Sequence, residues 1–462
     1  MLTLTKKQLL EVVSGQSLAD TQEKVSFAGV EYDSREIKGG DLFIALPGAK
    51  VDGHQFVRQA YDRGASLIMI KNKEALKDIP EKHRVVVVSD TLEAFKKLAS
   101  WWRREINIPV LAVTGSAGKT TIKELAASIA VQKSRGVYSL KSHNSSIGLP
   151  YSICRMGREH NWAVLEIGIS RPEEMLELSK LAAPTAAVIS CVAPAHTESF
   201  GSLEEIARAK LDIRHGLLEG GDLILNRDDK VLMVEAGKLN LEAAKYFGYS
   251  GECDCRIISA GHNSLEKLSV SLEIHGEEIM ADVSLPGKHN AVNIAAAVLG
   301  VKTIMPDISN EEIKQGLELF RAPYMRMNIR KLESGQVIVD DAYNANPASM
   351  LAALEYMKDL KSGGKKIGFV LGDMLELGSF AEDYHKQVAS VAAGIRPEFI
   401  IACGEYARVF FERATTNGVP AFVVESPEAA GHTAKKLKFD VLLVKASRAV
   451  GLDRTVAVLT GE

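Results

Sequence analysis

The sequence predicts an α/β protein of three domains: a small N-terminal α/β domain, a central domain built on a P-loop-type, mainly parallel sheet with flanking helices, and a C-terminal Rossmann-like domain. The chain has 462 residues, more than one hydrophobic core usually supports. Short apolar runs alternate with helical patterns, as in parallel sheets covered by helices. A glycine loop between a strand and a helix marks the second domain. We place the domains at residues 1–108, 109–322 and 323–462.

The composition indicates a globular protein without an obvious macromolecular partner. Hydrophobic residues make up 46% of the chain, charged residues 25%, and the net charge is -3, so nothing suggests nucleic-acid binding. The five cysteines are scattered and lack zinc spacing, from which we expect reduced thiols and a cytoplasmic location. No leader pattern and no run of about 18 apolar residues occurs, so we expect neither secretion nor membrane insertion.

The three regions differ in the order of their elements. In the first, apolar runs at 41–46 and 85–88 precede a charged helix over Thr91–Glu105. The second alternates strands with helices and is interrupted by antiparallel strands near 253–286. Its predicted strands are 163–167, 186–191 and 223–225, and its predicted helices are 119–132, 172–181 and 203–218. The third is interpreted as a Rossmann-like series of short strands separated by helices, with runs at 337–340, 366–371, 399–403, 421–424 and 441–444.

The glycine loop reads Thr114-Gly115-Ser116-Ala117-Gly118-Lys119-Thr120-Thr121. Glycines let backbone N–H groups turn toward an anion, the helix N-terminus adds partial positive charge, and a lysine and a hydroxyl at this spacing serve phosphates and Mg²⁺. The loop therefore predicts a nucleoside triphosphate site. Val113 stands where the usual pattern has glycine, and a plain glycine-rich turn is the alternative interpretation.

Further polar residues follow predicted strands, where side chains of a parallel sheet point into a ligand crevice. Glu166 ends an apolar run, where a carboxylate needs a cation such as Mg²⁺, although it could simply bond backbone amides. His196 follows the strand at 186–191, and Lys210 lies on the next helix. Taken alone, a structural histidine and a solvated lysine are the ordinary interpretations of these two residues.

Two asparagine-containing segments offer amide groups to a ligand. Asn290 and Asn293 share one face of a helix start and suit an adenine edge, with helix capping as the alternative for Asn290. Asp341 to Asn346 follow a strand, with Arg326 upstream, and could meet ribose hydroxyls and a terminal phosphate. From the residues alone, a turn and helix start is the simpler interpretation of this second segment.

Together these residues resemble the Mur ligases, ATP-dependent amide-forming enzymes of peptidoglycan precursor assembly. The resemblance spans nearly the whole chain and includes Thr114 to Thr120, Asp33-Ser34-Arg35, Gly372 to Gly378, and Lys445-Ala446-Ser447-Arg448. It implies that D-alanyl-D-alanine is added to UDP-N-acetylmuramoyl-tripeptide through an acyl phosphate, with release of ADP and phosphate. A ligase adding a single amino acid is the alternative enzyme, and a silent nucleotide-binding scaffold is the alternative of another class. Ser145 and Ala446 depart from the family's usual spelling in substrate loops.

The resemblance also implies residue roles and two Mg²⁺ ions, and we expect a monomer. Its implied catalytic residues are Lys119, His196, Lys210 and Arg326. The implied ATP contacts are Thr114, Gly115, Ser116, Ala117, Gly118, Lys119, Thr120, Thr121, Asn293 at adenine, Asp341 at ribose and Arg326 at the γ-phosphate. The implied Mg²⁺ ligands are Thr120, Glu166, His196 and Lys210, the last as a carbamoylated lysine. The implied substrate contacts are Ser34, Arg35, Asn144, Asn344, Asn346 and Arg448.

Overall fold

The computed structural model describes residues 3–19, 25–48, 51–76, 79–195, 197–241 and 243–462. Within these residues the strands form four sheets, and no helix combines the length and apolar character needed to cross a membrane. The five cysteines are free thiols. The mixed α/β architecture with mainly parallel sheets confirms the predicted fold class.

The N-terminal region forms a sheet of order β2-β7-β6-β5-β4 and a short β1-β3 pair. Strands β4 to β7 run parallel, and β2 pairs antiparallel with β7. The strands are β1 (Leu4–Thr5), β2 (Gln16–Ser17), β3 (Ser26–Phe27), β4 (Gly29–Glu31), β5 (Asp41–Ile44), β6 (Leu67–Ile70) and β7 (Val85–Val87). The helices are α1 (Lys6–Val13), α2 (Val57–Asp62) and α3 (Thr91–Glu105), with 3₁₀ turns at Gly53–Phe56, Lys73–Leu76 and Lys82–Arg84.

The central region forms a nine-stranded sheet of order β16-β15-β14-β13-β12-β11-β8-β10-β9. The strands are β8 (Val110–Thr114), β9 (Val137–Tyr138), β10 (Ala163–Glu166), β11 (Ala186–Ile189), β12 (Asp222–Asn226), β13 (Lys245–Gly248), β14 (Cys255–His262), β15 (Leu268–Ile274) and β16 (Glu277–Val283). The helices are α4 (Lys119–Ala130), α5 (Gly148–Cys154), α6 (Glu174–Ala182), α7 (Thr197–Phe200), α8 (Leu203–Leu211), α9 (Lys230–Lys238), α10 (Asn290–Ile304) and α11 (Asn310–Leu319).

Within the central sheet, antiparallel pairing is confined to β14, β15 and β16, as the sequence predicts for this stretch. The helix predicted over 203–218 ends earlier, because α8 gives way to a 3₁₀ turn over Asp212–Gly216. Gly216 lies against the backbone of Ser179, where an added Cβ would come within 2.2 Å of the Ser179 carbonyl. This close approach to α6 favours the tighter turn over a continued helix.

The C-terminal region forms a six-stranded sheet of order β17-β18-β22-β19-β20-β21. The strands are β17 (Asn328–Lys331), β18 (Val337–Asp340), β19 (Ile367–Gly372), β20 (Phe399–Cys403), β21 (Ala421–Val424) and β22 (Val441–Lys445). The helices are α12 (Pro347–Ser362), α13 (Ala381–Gly394), α14 (Ala407–Thr416), α15 (Pro427–Ala434) and α16 (Asp453–Thr460), with 3₁₀ turns at Gly378–Phe380 and Arg448–Val450. Only β17 is antiparallel, and the last strand, β22, lies between β18 and β19 rather than at an edge as in the 3-2-1-4-5-6 dinucleotide fold.

Alternation along the strands gives the two large sheets a core on each face. In β19, Phe369 and Leu371 belong to one core, with α12, α13 and α14, whereas Val370 belongs to the other, with α15 and α16. In β8, Ala112 packs on the side of α6 and α8, and Leu111 packs on the side of α4 and α10. Strands buried on both faces are apolar throughout, which is why they were visible in the sequence.

The first core of the central sheet continues into the N-terminal region through α3. Asp90 caps this helix by accepting hydrogen bonds from the Leu92 and Glu93 amides. Trp102 Nε1 donates to the Met156 carbonyl oxygen at 2.8 Å, and the buried Arg103 guanidinium donates to the Ala182 and Ala183 carbonyls at 2.9 Å each. Helix α3 therefore joins the N-terminal sheet to the central one.

Candidate active site

A cleft of about 720 Å³ opens at the carboxyl ends of β8, β10 and β11, with one wall from the C-terminal region. The strand order reverses around β8, and ligands of open α/β sheets bind at such a point. Fifteen of the residues to which the resemblance gives a site role line this cleft: Gly115, Ser116, Ala117, Gly118, Lys119, Thr120, Thr121, Asn144, Glu166, Lys210, Asn293, Arg326, Asp341, Asn344 and Asn346. His196 lies outside the described residues, and the assigned roles stay predictions.

The glycine loop after β8 is held against the end of β11. Gly115 has φ +141, and a Cβ there would lie 1.8 Å from Ser190 Oγ, so only glycine fits. Ser190 Oγ donates to the Ala117 carbonyl at 2.5 Å, and the Ser116 amide donates to the Cys191 carbonyl at 2.9 Å. Thr114 ends β8 fully buried and does not line the cleft.

Lys119 opens α4 and lies over its own loop, donating from Nζ to the Gly115 carbonyl at 2.7 Å. Burial is the largest influence on this amine and lowers its pKa. Glu166 opposes that shift, and Arg326 adds to it. The loop thus presents a cation, backbone amides and a helix N-terminus together, an arrangement suited to phosphate.

Glu166, at the end of β10, is the anionic centre of the cleft and only 1% exposed. Its Oε2 accepts from Thr120 Oγ1 at 2.8 Å, and its Oε1 accepts from Asn144 Nδ2 at 2.7 Å. Lys123 Nζ lies 4.0 Å from Oε2. A hydroxyl and a carboxylate are oxygen ligands that Mg²⁺ prefers, so the residue types present fit that ion.

Lys210, near the end of α8, is brought to the same cleft and is 5% exposed. Within the described part of the chain its Nζ has no hydrogen-bond or ion-pair partner. Burial, with a smaller contribution from Lys119, lowers the pKa of this amine to about 7. The amine is therefore partly uncharged at neutral pH, unlike a solvated lysine.

Two asparagines at the start of α10 form a short chain of amide bonds. Asn293 Nδ2 donates to Asn290 Oδ1 at 2.8 Å, and Asn290 Nδ2 donates to the Pro286 carbonyl at 2.6 Å. Asn293 Oδ1 also lies 2.3 Å from where a Cβ on Gly118 would be. Both asparagines line the cleft: Asn293 lies beside the glycine loop, and Asn290 is more deeply buried and bonded to the preceding turn.

The C-terminal region contributes Asp341 and Asn346 to the opposite wall. Asp341 Oδ2 accepts from Lys445 Nζ at 2.5 Å, and its Oδ1 accepts from the Met327 amide at 3.1 Å. Asn346 caps α12 and also donates from Nδ2 to the Ser116 carbonyl of the glycine loop at 3.3 Å. These contacts place the two regions on either side of one site.

Three of the predicted substrate residues do not line this cleft. Ser34 is buried and donates from Oγ to Gln59 Oε1 at 2.7 Å. Arg35 has 76% of its side chain exposed and pairs with Asp33 at 2.7 Å. Arg448 pairs with Asp453 at 3.1 Å. Their contacts with substrate stay predictions.

Sequence reasoning missed three residues of the site. Lys445 ends β22 and is 2% exposed, and the rule applied to Glu166, a charged residue ending an apolar strand, would have found it. Lys123 is fully buried and donates to the carbonyls of Ser139 and Lys141 at 2.7 Å each. Tyr343 lies under Arg326, with the guanidinium carbon 4.2 Å from the ring centroid. No local pattern distinguishes these last two from ordinary helix and turn residues.

Comparisons with known proteins agree with this geometry. Models of the Mur ligase family match along the chain: the catalytic domain at 26–111, the middle domain at 113–301, and the glutamate ligase domain at 325–448. UDP-N-acetylmuramoyl-tripeptide--D-alanyl-D-alanine ligase of Bacillus subtilis is 33% identical, covering 99% of this chain and 98% of that protein. The Escherichia coli protein of the same name is 30% identical, covering 99% of both.

Solved structures extend the similarity to the whole fold. A crystal structure of MurF from Acinetobacter baumannii has a TM-score of 0.87 and 26% identity, covering 100% of both chains. MurF ligase from Thermotoga maritima in complex with ADP has a TM-score of 0.78 and 26% identity, covering 94% of this chain and 97% of that one. With relatives at least 30% identical over nearly its full length, and with a glycine loop, buried lysines and a carboxylate gathered in one cleft, the chain belongs to the Mur ligase family.

Proposed function

We propose that this protein uses ATP to join D-alanyl-D-alanine to UDP-N-acetylmuramoyl-tripeptide, forming one amide bond and releasing ADP and phosphate. The observation that carries the proposal is the convergence on one cleft of Lys119, Glu166 and Lys210 from the central region with Arg326 and Asp341 from the C-terminal region. The names of the full-length relatives and the ADP complex of a structural neighbour support the same substrates.

The reaction needs an activated carboxylate, because a carboxylate itself does not react with an amine. A carboxylate oxygen of the tripeptide attacks the γ-phosphorus of ATP, and ADP leaves. The amine of the dipeptide then attacks the acyl carbon, loses a proton, and displaces phosphate. Lys119 and Arg326 would offset the charge on the transferring group, a role in which one cation contributes several kcal/mol.

Mg²⁺ and a modified lysine complete the proposed site. Thr120 and Glu166 would hold the ion, which supplies charge neutralisation at the phosphates. Lys210 fits carbamoylation because its amine is buried, without a polar partner among the described residues, and open to the cleft. Carbamoylation joins the uncharged amine to CO₂ with loss of one proton, and it leaves a carboxylate-like oxygen ligand where a protonated lysine would be a cation. We expect intact-mass measurement at neutral pH to show an added CO₂ that acid removes and that Lys210→Ala lacks.

The substrates are tested by phosphate release. The enzyme with Mg²⁺, ATP and UDP-N-acetylmuramoyl-tripeptide should release phosphate when D-alanyl-D-alanine is added, and not with single amino acids. Lys119→Ala should lose about a hundredfold or more in kcat while staying folded, and Lys267→Ala, an exposed lysine on a distant turn, should match the wild type. Phosphate release with single amino acids only would favour the alternative ligase. A monomeric state and a cytoplasmic location stay predictions.

A further inference from the structure

Arg326 is presented to the cleft by a backbone that is strained on both sides. Met325 and Met327 have φ values of 60 and 53, in the left-handed region that side chains other than glycine rarely adopt. Both methionines are buried, at 1% and 5% exposure. Such strain persists only where surrounding structure holds it, so the direction of Arg326 is set by its neighbours.

The segment that holds this backbone is the loop after β18. The Tyr343 amide donates to the Met325 carbonyl at 3.2 Å, and Asp341 Oδ1 accepts from the Met327 amide at 3.1 Å. The Tyr343 ring lies beneath the guanidinium of Arg326, at 4.2 Å from centroid to carbon. A cation over an aromatic face is attracted by the ring quadrupole, so Tyr343 both supports and orients the arginine.

The far end of Tyr343 reaches the central region. Its Oη donates to Ser142 Oγ at 2.7 Å across 201 positions of sequence. Ser142 belongs to a loop whose backbone is held by helix α4, since the fully buried Lys123 of that helix donates to the carbonyl oxygens of Ser139 and Lys141 at 2.7 Å each. The hydroxyl therefore meets a partner whose position is set by the same helix, α4, that opens with Lys119.

We propose that Tyr343 is a positioning residue that couples Arg326 to the central region: its ring orients the guanidinium, and its hydroxyl bond to Ser142 forms only when the C-terminal region lies against the nucleotide cleft. The proposal rests on the proposed function, because it gives Arg326 a transferring phosphoryl group to meet. One side chain thus links the approach of the C-terminal region to the nucleotide cleft with the orientation of Arg326.

The test is a double-mutant cycle on turnover. Tyr343→Phe keeps the ring and Ser142→Ala removes the partner, so each should lower kcat by about two- to tenfold, and the double variant should be no worse than either single one. The KM for the UDP-substrate should be unchanged. Tyr343→Leu should lose a further factor of about two to five, because the ring is gone. In an Arg326→Ala background, Tyr343→Phe should have no further effect.

The matched control is Tyr324→Phe, an exposed tyrosine two residues from Arg326, which should behave as the wild type. Additive losses in the cycle, or a lowered unfolding midpoint with kcat unchanged, would overturn the coupling.

Small-angle scattering with a saturating non-hydrolysable ATP analogue distinguishes failure of this coupling from failure of the proposed function. The single and double variants should show the same increase in radius of gyration over the wild type, whichever acceptor the enzyme uses. Unchanged radii would also overturn the coupling, whereas a wild type inactive with D-alanyl-D-alanine would overturn the function alone.

Discussion

Lys445 carries a charge that the fold keeps almost wholly out of water. Its side chain is 2% exposed, its Nζ donates to Asp341 Oδ2 at 2.5 Å, and a second bond reaches the Asn344 carbonyl at 3.0 Å. Breaking a buried ion pair costs more than the pair contributes, because the remaining charge loses its compensation. The loop that carries Asp341 and Asn344 therefore depends on a cation from the neighbouring strand β22.

Lys445→Met should lower the free energy of unfolding by about 3 kcal/mol. The measurement is urea unfolding without ligands. Adding Asp341→Asn should recover part of the loss, because the uncompensated carboxylate is then gone. Equal losses in the single and double variants would show that the lysine acts through packing and not through its charge.

At the level of single elements, the start of α12 serves two purposes. Asn346 caps the helix by accepting from the Ser349 amide at 2.9 Å, while its Nδ2 reaches the Ser116 carbonyl of the glycine loop. Pro347 follows at the first helical position, where its missing N–H costs nothing. One side chain thus fixes a helix end and touches the nucleotide loop.

Substitution of Asn346 by serine or by alanine separates the capping of α12 from the contact with the glycine loop. Asn346→Ser keeps a capping oxygen and should stay within about 0.5 kcal/mol of the wild type, whereas Asn346→Ala should lose about 1 kcal/mol. Both lose the bond to Ser116, so both should lower kcat/KM by about two- to tenfold. Denaturant unfolding and steady-state kinetics on the same preparations measure the two effects. An Asn346→Ser variant with full activity would contradict the role of the Ser116 contact.

Helix α13 contains a histidine that must stay neutral. His385 is fully buried, accepts at Nε2 from the Met374 amide at 2.9 Å, and contacts the Ala381 carbonyl oxygen through Nδ1 at 2.6 Å. Its ring stacks on Tyr406 with centroids 4.0 Å apart. Burial lowers the pKa of His385 below its usual range. Protonation would place an N–H on Nε2 opposite the N–H of Met374, so this hydrogen bond would be lost. The loop before the 3₁₀ turn Gly378–Phe380 would then be released.

This shift predicts a loss of stability on acidification. Below about pH 6.5 the unfolded chain takes up a proton at this histidine while the folded protein does not, so the unfolding free energy falls as pH falls, by at most about 1.4 kcal/mol per pH unit. His385→Gln should be flatter than the wild type between pH 6.5 and the lowered pKa. His432→Gln, an exposed histidine on α15, is the control and should keep the wild-type slope. Parallel slopes in all three proteins would contradict the assignment.

The elements that could be predicted from sequence are those whose pattern is local. Strands buried on both faces, such as β8 and β22, are continuous apolar runs, and Thr91–Glu105 has the predicted limits because Asp90 caps it. Gly115 and Lys119 were recognisable because phosphate loops keep a fixed spacing. Tyr343 and Lys123 were not recognisable. Ser142, the partner of Tyr343, is distant in sequence, and Ser139, the partner of Lys123, lies outside the helix that carries Lys123.

On the scale of the whole molecule, the three regions are joined unequally. One continuous core runs from Leu4 through α3 to Leu225, whereas the C-terminal sheet has two cores of its own. The C-terminal region meets the central one mainly through polar contacts, among them Tyr343 to Ser142 and Thr197 Oγ1 to the Leu377 carbonyl at 3.0 Å, and Leu265 adds an apolar contact with the C-terminal core. Mostly polar contacts between regions favour relative motion, and a shared apolar core opposes it.

The shared core and the polar contacts predict that the N-terminal and central regions unfold together and that the C-terminal region unfolds separately. Arg103→Ala leaves two buried carbonyl oxygens and one partly buried carbonyl oxygen without their donors and should cost about 3 kcal/mol, because each acceptor loses its partner. Differential scanning calorimetry should show the shift in the transition shared by the N-terminal and central regions, with the C-terminal transition unmoved. Arg104→Ala, its exposed neighbour, should change neither transition. A separate transition for the N-terminal region would contradict the shared core.

The segment between α11 and β17 has a consequence for protease digestion. It runs without helix or strand from Phe320 to Met327, and Arg321 is exposed there. A trypsin-like protease acting on the native protein should cut first after Arg321 and yield two fragments that each keep a folded core. A bound nucleotide that draws the fragments together would slow that cut, so the rate of nicking reports occupancy of the cleft without any assay of the chemistry.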